Sequence, residues 1–144
     1  MRILAVDPGS KNIGLAISDP TGTIANPLMI LKHISRDRDA DMIIEQAISN
    51  AAVTIIIGQS VDEEDGSPTF EGRRSARLAR TISRKTSLQV ELWDESGSTR
   101  EAKQTRRMMG VSRKKRVGHL DELAATYILQ SYLNDNSGRN EKQL

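Results

Sequence analysis

The chain has 144 residues, with 21 Lys and Arg against 19 Asp and Glu, no cysteine, and aromatics at only 3%. That length suits one ordinary domain, and the absence of thiols excludes disulfides and Cys-ligated metal sites and fits a reducing compartment. No apolar run is long enough to span a bilayer, and residues 1–19 lack the apolar core of a signal peptide. A soluble, cytoplasmic protein with no membrane partner is expected.

Arg2 to Val6 and Ile13 to Ser18 read as strands joined by a short turn containing Pro8-Gly9, the spacing of an antiparallel hairpin. Thr21-Gly22 makes a second tight connection into a third strand, Thr23 to Leu31. Asn26-Pro27 interrupts that strand, as a bulge or an edge position would. From Asp37 to Ala51 the period becomes helical, with Met42, Ile43, Ala47 and Ile48 on one stripe. Val53 to Ile57 is a β-branched run ending at Gly58, as in a strand covered on both faces. Gln59 to Ser67 is a polar, acidic loop, and Thr69 to Arg84 a helix with Ala76, Leu78, Ala79 and Ile82 inward. Leu88 to Trp93 is the fifth strand. Ser98 and Glu101 have capping-box spacing for a helix ending at Gly110. A final helix spans Leu120 to Leu133, with Leu123, Ala124, Tyr127, Ile128 and Leu129 inward, and Asn134 onward reads as a loose polar tail. The expected organisation is one domain, 1–134, plus a tail, 135–144. Its core is a mixed five-stranded sheet with helices on both faces, because strand–helix–strand crossovers make parallel pairs.

Acidic residues recur at the ends of these elements: Asp7 after the first strand, Asp94-Glu95 after the fifth, and Asp121 opening the last helix. Three converging carboxylates would repel one another without a cation between them. Hard oxygen donors without cysteine point to Mg²⁺ or Mn²⁺. Two such ions about 4 Å apart form the clamp used in phosphodiester hydrolysis. Simpler roles compete: an aspartate after a strand forms turns, and one at a helix start favours the helix dipole. Asp19, before Pro20, reads as a turn residue, His33 and His119 read as lone histidines, and His119, two residues before Asp121, reads as a surface residue more readily than as a substrate contact. Trp93 reads as a core residue more readily than as a base-stacking one.

Although the net charge is only +2, Arg100, Lys103, Arg106, Arg107, Arg113, Lys114, Lys115 and Arg116 cluster against the single acid Glu101. Such a cluster suits a polyanion, since each phosphate neutralised releases counterions, and equally suits a solvated helix face. With so few aromatics, backbone and shape contacts should dominate over base stacking.

The opening DPGSKNIGLAISD resembles the start of the YqgF (RuvX) family. IIIGQSVDEEDGS is similar to that family's strand–Gly–loop segment. VELWDESGSTREA falls where the family has Asp-Glu-Arg-Leu-Thr-Thr, and HLDELAATYILQSYL where it has an aspartate-led Ala-Ala helix. The segments run in order from Met1 to about Leu133. The resemblance implies a ribonuclease H-like fold and Mg²⁺- or Mn²⁺-dependent nuclease chemistry, with maturation of the 5′ end of pre-16S rRNA as the role and structured RNA as the partner. It carries Asp7, Asp94, Glu95 and Asp121 over as catalytic and metal-binding positions, with Asp94 and Glu95 not distinguished. Lys11 stands near a frequent family arginine and joins Arg100, Arg106, Arg107, Arg113, Lys114, Lys115 and Arg116 as candidate nucleic-acid contacts. Ser96 replaces the family's arginine, removing a guanidinium fork. Three alternatives accompany this reading: a junction resolvase acting on branched DNA, an actin/Hsp70-like phosphotransferase, and a binding protein that has lost catalysis. Monomer and homodimer are both open.

Overall fold

The computed structural model describes residues 1–95 and 121–143, with residues 121, 122 and 137–143 described by their backbone alone. The elements are β1 (Arg2–Pro8), β2 (Asn12–Ser18), β3 (Ala25–Lys32), α1 (Arg36–Ser49), β4 (Ala52–Gln59), α2 (Phe70–Lys85), β5 (Gln89–Asp94) and α3 (Asp121–Gln143). The five strands form one sheet in the order β3-β2-β1-β4-β5. β1 and β2 pair antiparallel, as do β2 and β3, whereas β1–β4 and β4–β5 are parallel. The first strand is therefore central, and the carboxyl ends of β1, β4 and β5 share one edge of the sheet.

The two faces are built differently. Leu4, Val6, Ile13, Leu15 and Ile17 of the first hairpin, with Ile55 and Ile57 of β4, meet Ala40, Ile43 and Ala47 of α1 and Leu78, Ala79 and Ile82 of α2. On the other face the hairpin offers Ala5 and Ala16, and with Ile56 these pack against Ala125, Ile128, Leu129, Tyr132 and Leu133 of α3. Small residues on the α3 face let one helix lie close to the strands, whereas long aliphatics on the opposite face fill the space under two.

Local chemistry explains the boundaries. Ser35 caps α1 by accepting from the Arg38 amide at 3.2 Å, and Thr69 caps α2 by accepting from Gly72 at 3.1 Å. α1 stops at Ser49 rather than Ala51 because Ala51 takes the left-handed conformation, φ 56°. Asn26-Pro27 lies on the edge strand, and the β2–β3 register slips between Leu15 and Ala16 opposite it. Edge position and bulge thus occur together. Asp19 is the turn residue expected: its Oδ1 accepts from the Thr23 and Ile24 amides, both at 2.8 Å, and its Oδ2 from the Thr21 hydroxyl. These bonds, that from Ile24 foremost, hold its carboxyl well below the usual range.

Two expectations for the last helix are corrected. Its backbone remains helical to Gln143, so the segment read as a loose tail from Asn134 continues the helix. Its buried stripe is Ala125, Ile128, Leu129, Tyr132 and Leu133, while Leu123 and Tyr127 are exposed. The buried set keeps i, i+3, i+4, i+7, i+8 spacing, and at about 100° per residue Leu123 and Tyr127 fall nearly opposite it. Ala76, expected inward on α2, is half-buried. The helix expected from Ser98 lies outside the described residues.

Leu129 is fully buried. Leu129→Ala should lower unfolding free energy in urea by about 2–5 kcal/mol, whereas Leu123→Ala should cost a small fraction of that.

Candidate functional site

Strand alternation assigns each carboxylate to a face. On β1, Leu4 and Val6 face α1 and α2, whereas Ile3 and Ala5 face α3. Asp7 is next in the alternation and belongs to the α3 face. Its antiparallel partner is Gly14, which projects nothing beside it. On β5, Val90 packs on the α1/α2 side and Trp93 on the α3 side. Asp94 therefore belongs with α1 and α2, and the following residue, Glu95, returns toward α3. The Glu95 amide donates to the Gln59 carbonyl at 3.1 Å, which carries the β4–β5 pairing one residue past the strand. Asp7 and Glu95 thus lie at one edge and on one face, across the intervening β4. Two inter-strand spacings and a two-residue offset along the strands separate their backbones, roughly 12 Å, and both residues are half-buried.

The β1–β2 turn closes just beyond Asp7. The Gly9 amide donates to the Asn12 carbonyl at 2.9 Å, and a Cβ at Gly9 would come within 2.4 Å of that oxygen. Only glycine permits so close a return. Lys11 sits exposed in the same turn.

α3 is held over this face by polar contacts at both sheet margins. The Trp93 indole donates to Ser131 Oγ at 2.8 Å, and the Tyr132 hydroxyl donates to Glu91. The two rings meet edge-to-face at 5.2 Å. Toward β3, Gln130 accepts from the Ala25 amide at 2.9 Å and donates to the Thr23 carbonyl at 3.0 Å. Trp93 is thus a packing residue, as expected. Between these clamps Ile128 presses on Gly58, where an added Cβ would lie 2.7 Å from Ile128 Cδ1. Asp121 begins this helix, and its side chain is not among those described. Among the described residues no three His, Asp or Glu side chains gather to hold a metal ion. Arg100, Arg106, Arg107, Arg113, Lys114, Lys115 and Arg116, with Ser96 and His119, lie outside the described residues.

The acidic loop after β4 is tied to itself. Asp62 Oδ1 accepts from the Glu64 amide at 2.8 Å, and Asp65 Oδ1 accepts from the Ser67 amide at 2.8 Å and its hydroxyl at 2.6 Å. The Ser67 bonds hold the Asp65 carboxyl below its ordinary value. His33, expected to stand alone, instead places Nδ1 against Asp39, a carboxylate only 3% exposed. Sequence reading misses this pair and the Gly58–Ile128 contact. Gly58 left a trace, a glycine closing a β-branched run, which reads equally as a strand end.

The model of the family described as RuvX, Holliday junction resolvase, matches residues 1–135. The chain belongs to the RuvX family. A relative from Thermoanaerobacter pseudethanolicus is 36% identical over 140 residues, covering 96% of this chain and all of the relative. One from Lachnospira eligens is 37% identical over 138 residues, covering 92% and 96%. Both carry the provisional name of pre-16S rRNA nuclease. Thermus thermophilus RuvC, solved with a Holliday junction substrate, superposes with a TM-score of 0.59 at 13% identity, covering 96% of each chain. This RuvX chain has the ribonuclease H-like fold, as its resemblance implied.

Gly58 and Ile128 give a test of the α3 seat. Gly58→Ala should cost about 1 kcal/mol by overpacking, and Ile128→Val, which removes Cδ1, should relieve most of that penalty. A double-mutant cycle in urea should therefore show favourable coupling.

Proposed function

We propose that this RuvX chain is a metal-dependent nuclease that cuts a phosphodiester bond of structured RNA in the cytoplasm, with the 5′ flank of pre-16S rRNA as substrate. The observation that supports the reading is the parallel register that brings the ends of β1 and β5, with Asp7 and Glu95, to one edge of the sheet. The name carried by relatives that align end to end with this chain supports the choice of substrate.

The donor set fits Mg²⁺ or Mn²⁺: carboxylate oxygens, no thiol anywhere in the chain, and partial exposure that lets a phosphate approach. Asp7, Glu95 and Asp121 would hold the ions, with Asp94 turned toward α2 and acting on the strand end rather than as a ligand. Bound divalent cations supply water activation and charge neutralisation at the leaving oxygen. The chain's part is to fix the carboxylates before substrate arrives. β1 is central and cannot shift without breaking two pairings, and the Trp93–Ser131 and Tyr132–Glu91 bonds tie β5 to α3. Residues 1–134 form the catalytic unit in this reading, and the last ten residues are dispensable for chemistry.

A second reading, resolution of branched DNA, is favoured by the description of the family. The same carboxylates would serve it, and cutting two strands would call for a symmetric dimer. Cleavage of pre-16S RNA and of a synthetic four-way junction, assayed side by side with Mg²⁺ and Mn²⁺, separates the two.

Asp7→Asn and Glu95→Gln should each reduce cleavage by at least a hundredfold and weaken Ca²⁺ binding by calorimetry, whereas Asp94→Asn should change both far less. Near-native turnover of Asp7→Asn would remove the metal-site assignment. The basic segment should act in binding. Neutralising Arg113, Lys114, Lys115 and Arg116 together should weaken RNA affinity and lower the slope of log K against log salt by about 0.7–0.9 for each phosphate no longer neutralised. An unchanged slope would leave that segment as solvated surface.

A further inference from the structure

A cavity of about 550 Å³ opens on the α1/α2 side of the sheet, beside the turn that follows Asp7. Pro8 and Ser10 form one wall, and side chains from the starts of α1 and α2 form the others. Two arginines line it, Arg36 from α1 and Arg74 from α2. Among the described residues neither takes part in a salt bridge.

The acids in its walls are unequal. Asp39 is 3% exposed, and both its oxygens are engaged, one by His33 and the other by the Ile34 amide at 2.9 Å. Its charge is spent inside the wall, where it fixes the His33 ring. Glu71, exposed on the first turn of α2, is a second carboxylate at the opening. Arginines from separate helices lining one concavity, with Ser10 in the same lining, supply the donor chemistry that suits a phosphate group, which accepts from several donors at once.

We propose that this cavity holds a phosphate of the nucleic-acid strand that continues past the cleaved bond. The proposal rests on the nuclease reading for its ligand. Asp7 and Pro8 are consecutive, yet Asp7 belongs to the α3 face and the cavity to the other. A strand crossing the carboxyl edge of the sheet would therefore leave one phosphate at Asp7 and deliver a later one to Arg36 and Arg74. Such a contact adds affinity and fixes register without reading sequence.

The test measures binding of a fluorescent RNA carrying the 5′ flank of pre-16S rRNA in Ca²⁺, over a range of salt. Arg36→Gln with Arg74→Gln should weaken binding at least tenfold and lower the salt slope by about 0.7–0.9 for each phosphate that the two arginines neutralise. Glu71→Gln should tighten binding two- to fivefold, a change that misfolding could not produce. Guanidinium Nε–H signals of Arg36 and Arg74 in NMR spectra should move with the RNA and not with millimolar inorganic phosphate. If phosphate alone moves them and the slope is unchanged, the cavity takes free phosphate and the strand assignment is overturned. If wild-type protein cleaves the RNA while both variants bind it as wild type does, this proposal fails and the nuclease reading stands. If wild-type protein binds the RNA through these arginines but never cleaves it, the nuclease reading fails and the cavity assignment survives.

Discussion

Everything in this molecule that bears on chemistry depends on the parallel register of β1, β4 and β5. Antiparallel strands would send successive carboxyl ends to opposite edges; the two crossovers bring three of them to the same one. Because Val6 pairs with Ile57 and Gln59 with Asp94, the end of the first strand and the end of the fifth are level to within a residue or two. The one-residue extension that binds the Glu95 amide to Gln59 completes the arrangement. A slip of one residue at β5 would put Asp94 in place of Glu95 on the α3 face.

The strands were legible in the sequence because each is a short apolar or β-branched run bounded by a turn former. Asn26-Pro27 even announced the edge strand. The acidic residues at their ends were legible for the same reason, as polar residues where a buried run stops. The sequence could not choose between Asp94 and Glu95, since neighbours on a strand differ only in face, and face is set by what packs above and below. The last helix misled for a related reason. Its apolar residues wrap widely enough to suggest several stripes, and the strands decide which one is buried. Ala125 faces inward where Leu123 was expected, because a surface of Ala5, Ala16 and Gly58 favours a close approach over a bulky contact. His33 looked isolated because its partner, Asp39, lies on a different element.

The two helical layers divide the labour. α1 and α2 cover the larger aliphatic core, and the side chains near their first turns surround the cavity beside the β1–β2 turn. α3 is held by polar contacts of Gln130, Ser131 and Tyr132 and by the apolar packing of Ala125, Ile128, Leu129 and Leu133 on Ala5, Ala16 and Ile56, with Ile128 close against Gly58. Polar clamps of this kind specify orientation more than they add stability.

The asymmetry between the faces also shapes how the chain is made. The first hairpin presents Leu4, Val6, Ile13, Leu15 and Ile17 on one side, and α1 follows in the chain soon enough to cover them. The other side waits for the last helix, with most of the polypeptide still to be synthesised. A nascent chain that exposed large aliphatics for that interval would invite aggregation. On the hairpin that waiting side carries Ile3, Ala5, Asp7, Gly14 and Ala16, against five large aliphatics opposite, so the side that waits longest for its cover is the less prone to stick.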